Sequence, residues 1–164
     1  MNDLITKLKQ QEPEAIDQEI EQEEGFKTNF YLCTAGHNTF GFGYNADANP
    51  LHLSKEYLDN VRKNGITRDE AETLLIQMID EVQKTLLVKI EGFSNLDRVR
   101  QDVLTDMAYN IGVSGLLKFK NTLAHIRAGL YDEAANEMLD SNWAHQVHGR
   151  ANKLAEQMRT GYVK

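Results

Sequence analysis

At 164 residues, 41% apolar and 26% charged, the chain is long enough to bury a core of its own, and its composition excludes long disordered or low-complexity stretches. Its formal charge of −7 is unevenly placed: residues 1 to 24 hold eight acidic and two basic side chains, net −6, which leaves −1 for the remaining 140; with no basic helix and no basic stripe interleaved with aromatics, nucleic acid is not an expected partner. A single cysteine, Cys33, excludes an internal disulfide and fits a reducing compartment, and no run approaches the ~20 apolar residues of a membrane span.

The N-terminus, MNDLITKLKQQ, lacks a basic start and a long apolar run, so no signal peptide is expected. Leu4, Ile5 and Leu8 predict a short amphipathic helix that stops before Glu12-Pro13, where Pro13 can open a new one. That next helix carries Ile16 and Ile20 and ends at Gly25. Glu24 falls on its apolar stripe, four residues beyond Ile20. Partial burial, the negative end of the helix dipole and the charges of Glu21 and Glu23 all favour a protonated carboxyl there, which is the state a general acid needs.

After Gly25 the pattern turns to aromatic and β-branched residues on either side of a turn at residues 34–38. A hairpin centred on Gly36 sets Cys33 directly opposite Thr39, with β-carbons about 5 Å apart. Along the second strand Phe40, Phe42 and Tyr44 point one way and Thr39, Gly41 and Gly43 the other, leaving a nearly bare face that a ligand can approach. An acid, a thiol and a hydroxyl are thus expected around one open groove.

Residues 45–65 read as a loop around Asn49-Pro50, a short helix over 54–63 and a turn at Asn64-Gly65. Thr67 and Glu70 form a capping box for the longest helix, whose apolar positions run from Ala71 to about Val88, a length of ~30 Å. Ser94 is expected to cap a segment with Val99, Val103, Met107 and Ile111 that ends at Gly112, and helices over 123–128, 132–139 and 149–160 follow. The fold class is α+β, mostly helical, with a small sheet near the N-terminus. His145 and His148 form H-x-x-H without a third ligand at suitable spacing, so no metal is expected. No phosphate loop, dinucleotide fingerprint or Ser-His-Asp arrangement points to a cofactor.

Glu24, then Cys33 after eight intervening residues, then Thr39 after five more, followed by G-x-G, resembles the Glu, Asp, Thr catalytic signature of phage-type lysozymes. The likeness covers roughly residues 14–161, through ITRDEAETLL, the YNIG at 109–112, and the SNW and GRA near the end. It implies a single lysozyme-like domain over 1–164: an N-terminal extension at 1–12, a small β-containing lobe at about 25–65, a connecting helix at 66–91 and a helical lobe at 92–164, with the cleft between the lobes. It further implies a monomeric glycosidase, without cofactor or stable membrane insertion, that hydrolyses the β-1,4 bond between N-acetylmuramic acid and N-acetylglucosamine in bacterial peptidoglycan and so lyses a host cell. An endolysin of this kind accumulates in the host cytoplasm and reaches the wall through a hole made by another protein.

Cys33 is the departure, because the family has aspartate there. A free thiol with a pKa near 8.5 is about 3% thiolate at neutral pH. Three readings stand: a thiolate that positions or activates water, which we prefer; a thiolate that attacks the sugar carbon; and an inert small side chain. If Cys33 is inert, Glu24 acts alone, as in a lytic transglycosylase, where the muramic acid's own hydroxyl attacks. A decayed peptidoglycan-binding protein is the reading from another class. Thr39 is too weak a base to act alone and would hold the water or the thiol. Asn110, Trp143 and Arg150 match positions that line or support the substrate cleft in the family, Asn110 to read an N-acetyl group and Arg150 to meet an anionic stem. Trp143 reads equally as a core residue, and Arg150 as a surface charge. Tyr44 stands where the family often has histidine and is given no chemistry.

Overall fold

The computed structural model describes residues 16–163. The helix expected around Leu4, Ile5 and Leu8, and the 1–12 extension, lie outside the described residues. The chain divides into two compact units, one ending at Asp80 and the other beginning at Glu81. Among the described residues, no helix is long and apolar enough to cross a membrane.

The first unit opens with α1 (Ile16–Glu24), which buries Ile16 and Ile20. Gly25 closes it in a left-handed conformation (φ 69°), its N–H donating to the Glu21 carbonyl at 2.9 Å. A three-stranded antiparallel sheet follows in the order β1 (Lys27–Leu32), β2 (Asn38–Gly41), β3 (Tyr44–Asn45).

Its register corrects the expected hairpin. Thr39 pairs with Tyr31 and Asn38 with Leu32, so Cys33 is not opposite Thr39. The Cys33 N–H donates instead to the His37 carbonyl at 3.0 Å, closing a three-residue turn over 34–36. Gly36, at φ 81°, is the last residue of that turn and not its centre, the place where a three-residue hairpin loop needs its left-handed residue. β1 also bulges, with residues 28–30 set against Phe40 alone between the pairs Lys27–Gly41 and Tyr31–Thr39.

The expected single strand over 39–44 is likewise two. Phe40 pairs with Tyr44 and Thr39 with Asn45 across a tight turn at Gly41, Phe42 and Gly43, both glycines having positive φ (64° and 77°). The three aromatics still face inward: Phe40, Phe42 and Tyr44 are buried, and Phe30 of β1 stacks on Phe40 with ring centres 5.1 Å apart.

Helix α2 (Lys55–Asn64) starts at Ser54, whose side chain accepts from the Tyr57 N–H, and stops at Gly65. The long helix α3 (Arg68–Lys89) begins at the expected cap: the Thr67 hydroxyl accepts from the Glu70 N–H at 3.2 Å and donates to the Glu70 carboxylate at 3.0 Å. The boundary between the units falls inside α3.

In the second unit, α4 (Arg98–Leu117) is capped by Asp97 and not by Ser94, which lies in a 3-10 turn over Phe93–Asn95. Asp97 sits three residues before the Arg100 N–H that its carboxylate accepts, the geometry a cap requires. The stop expected at Gly112 is present: Gly112 takes φ 81° and ψ 157°, outside the helical region, and divides α4 into two helical stretches. Helices α5 (Lys120–Arg127), α6 (Tyr131–Leu139) and α8 (Gly149–Thr160) match the expected segments within a few residues. The short α7 (Asn142–Val147), capped by Ser141, was not expected. Leu104, Met107, Leu116, Met138, Leu154 and Met158 form the innermost part of this unit's core.

Candidate active site

Glu24 is the last residue of α1, partly exposed. Its carboxyl lies flat against Gly43: a β-carbon added at Gly43 would fall 2.8 Å from the Glu24 Oε2 and 3.2 Å from its Cδ. The neighbouring glycine meets the protein in the same way, a β-carbon at Gly41 reaching the Ala71 methyl of α3 at 3.3 Å. The face expected to be bare is therefore not an open groove at these two positions. Its missing side chains make room for Ala71 at one and for the acid itself at the other.

Cys33 is partly exposed and carries a free thiol. The amides of the turn that follows it favour a charged sulfur. The His37 N–H contributes most to holding the thiol below its ordinary pKa; burial opposes it, and the Ala35 N–H, the Thr39 hydroxyl and the Gly36 N–H add to the lowering. Successive amides of a turn favour an anion beside them, as they do for an Asp or Asn side chain that opens a turn. Thr39 is buried, 3% exposed, and its hydroxyl is also placed to donate to the His37 carbonyl at 2.9 Å. Although the register differs from the expected one, it moves by two residues, so Cys33 and Thr39 keep the same face and meet diagonally.

Tyr31, which the sequence reading overlooked, shares that face as Thr39's direct partner. Its hydroxyl pKa is raised by burial first, then by the charges of Glu24 and Cys33. The signal was available in the parity of the strand, since Tyr31 precedes Cys33 by two. Tyr44 is tied to the loop that follows it. Its hydroxyl donates to Asn49 Oδ1 at 2.7 Å and accepts from the Leu51 N–H at 3.1 Å, fixing the loop before α2.

In the second unit, the Asn110 side-chain carbonyl accepts from the Trp143 indole N–H at 2.8 Å. Trp143 is 4% exposed and stands edge-on to Phe119, so its ring is part of the core. Arg150 is not a surface charge. It is buried and paired with Asp106, its Nε donating to Oδ1 at 2.8 Å and a terminal nitrogen lying 2.7 Å from the same oxygen. Asp106 also escaped the sequence reading; its signal was a lone acid in the buried run from Val103 to Ala108. Among the described residues, no group of three or more His, Cys, Asp or Glu side chains is placed to hold a metal ion.

Residues 21–159 match the phage lysozyme family. The chain is 29% identical over 163 residues to probable T4-type lysozyme 1 of Dictyostelium discoideum, covering 90% of this chain and 95% of the relative. It is 30% identical over 148 residues to an endolysin of Bacillus phage B103, covering 88% of this chain and 51% of that protein. It is also 28% identical over 158 residues to the pre-baseplate central spike protein Gp5 of Enterobacteria phage T4, of which it spans 28%.

Proposed function

The chain belongs to the phage lysozyme family, and from that premise we propose that it hydrolyses the β-1,4 bond between N-acetylmuramic acid and N-acetylglucosamine in bacterial peptidoglycan. Glu24 protonates the leaving glycosidic oxygen. The Cys33 thiolate takes a proton from a water whose oxygen attacks the sugar carbon, and the Thr39 hydroxyl, which donates to the His37 carbonyl, accepts from that water and helps hold it. The cycle leaves Glu24 ionised and Cys33 protonated, and transfer of one proton through solvent restores both.

The observation that carries this reading is the turn that follows Cys33, closed by its N–H on the His37 carbonyl. The amides of that turn shift a side chain that is ordinarily a thiol at neutral pH toward the charged form that a base needs, on the hairpin that follows Glu24. In the second unit we assign substrate contact to Asn110, with Trp143 and Arg150 as its supports. The indole N–H occupies the Asn110 carbonyl, leaving the amide N–H groups to donate to an N-acetyl oxygen. In a phage setting the enzyme would act as an endolysin, stored in the host cytoplasm and released to the wall through a hole made by another protein.

Mass spectrometry of fragments released from purified peptidoglycan tests this. The native chain should produce reducing muramic ends, and Glu24→Gln should lose about 10²-fold or more of that rate. Anhydromuramic ends would instead establish a transglycosylase, and binding without fragments would establish a decayed binding protein.

A further inference from the structure

Tyr31 is a polar group beside the acid and the thiol for which the mechanism above has no use. Pairing with Thr39 across the ladder, and preceding Cys33 by two residues, it leaves the hairpin on the same face as both. Its neighbour Phe30 leaves the other face, stacked on buried Phe40 beneath the Arg62 guanidinium. The hydroxyl of Tyr44 is committed to the loop before α2, whereas Tyr31 is half-buried with its hydroxyl in the field of Glu24 and Cys33.

Burial, the largest cause of its raised pKa, keeps this phenol protonated at any pH near neutral. The face therefore carries a neutral donor beside one group that gives a proton and one that takes it. A cation in the same place would hold Glu24 ionised and spoil it as an acid, and a carboxylate would oppose the thiolate. A hydroxyl does neither, and it complements the acceptor oxygens that a sugar presents around its ring.

We propose that Tyr31 is a substrate-contacting residue whose hydroxyl donates a hydrogen bond to an oxygen of the sugar held between Glu24 and Cys33. This rests on the glycosidase reading. It is tested with a muramic acid and N-acetylglucosamine tetrasaccharide, whose affinity is measured by calorimetry for Glu24→Gln and for Glu24→Gln with Tyr31→Phe, so that no turnover confuses the titration. The double variant should bind about fivefold to tenfold more weakly, the loss of one neutral hydrogen bond. Equal affinity overturns the proposal while leaving the glycosidase reading intact; no binding by Glu24→Gln alone overturns both. In the otherwise native chain, Tyr31→Phe keeps the ring and should lower kcat/KM by a similar factor with an unchanged Tm. A fall in kcat/KM that comes with a lowered Tm would assign the hydroxyl to packing and overturn the contact.

Discussion

At Cys33 the amides of the following turn hold the thiol below its ordinary pKa. Because its pKa is lowered in the folded chain, the thiolate is present above that pKa and is lost as pH falls through it, so loss of the base lowers the rate toward acid. A carboxylate is favoured by the same turn amides and has a much lower pKa of its own, near 3.9. Cys33→Asp should therefore remain active, with its fall in rate at low pH displaced toward acid. Cys33→Ala should lose about 10²-fold at every pH, as expected when a general base is removed; kcat profiles of the three proteins between pH 4 and 9 check both outcomes. The identity and spacing of Glu24, Cys33 and Thr39 were legible because chemistry follows residue type. The donors that act on the sulfur were not, since they are backbone amides whose direction is set by a turn.

Among the elements, the hairpin shows where sequence reading works and where it stops. Alternation assigned the aromatics to the core and the polar residues to one face, and Phe40, Phe42 and Tyr44 are buried accordingly. Register was misplaced by two residues because Gly36 ends the turn at 34–36 and is not its centre, and composition does not say at which place in a turn a left-handed glycine stands. A glycine also governs the acid. With Glu24 seated on Gly43, Gly43→Ala must push the carboxyl aside, and a displacement approaching 1 Å should cost roughly 10²-fold in kcat with KM little changed. Gly129→Ala provides the comparison, because it has the same kind of positive φ (79°) with open space around it. It should lower Tm by a similar amount and leave kcat alone.

Over the whole molecule, the α+β class and the helical second unit were readable from apolar periodicity and glycine stops, long patterns in which many residues agree. The buried ion pair between Asp106 of α4 and Arg150 of α8 was not, because two charges 44 positions apart in sequence carry no local sign of meeting. Removing one partner leaves the other charge buried, at a cost of about 3–5 kcal/mol. Asp106→Ala should therefore lower Tm by roughly 10 °C or more in thermal unfolding, whereas Asp106→Leu with Arg150→Met should recover much of the loss. Finally, the two compact units are not two separable pieces of chain. Their boundary cuts α3 into Arg68–Asp80, thirteen residues, and Glu81–Lys89, nine, which together make its 22. An isolated helix needs about 12–15 residues to be even marginal in water, so a chain divided there would leave one half at that limit and the other below it, each without the turns that continue it.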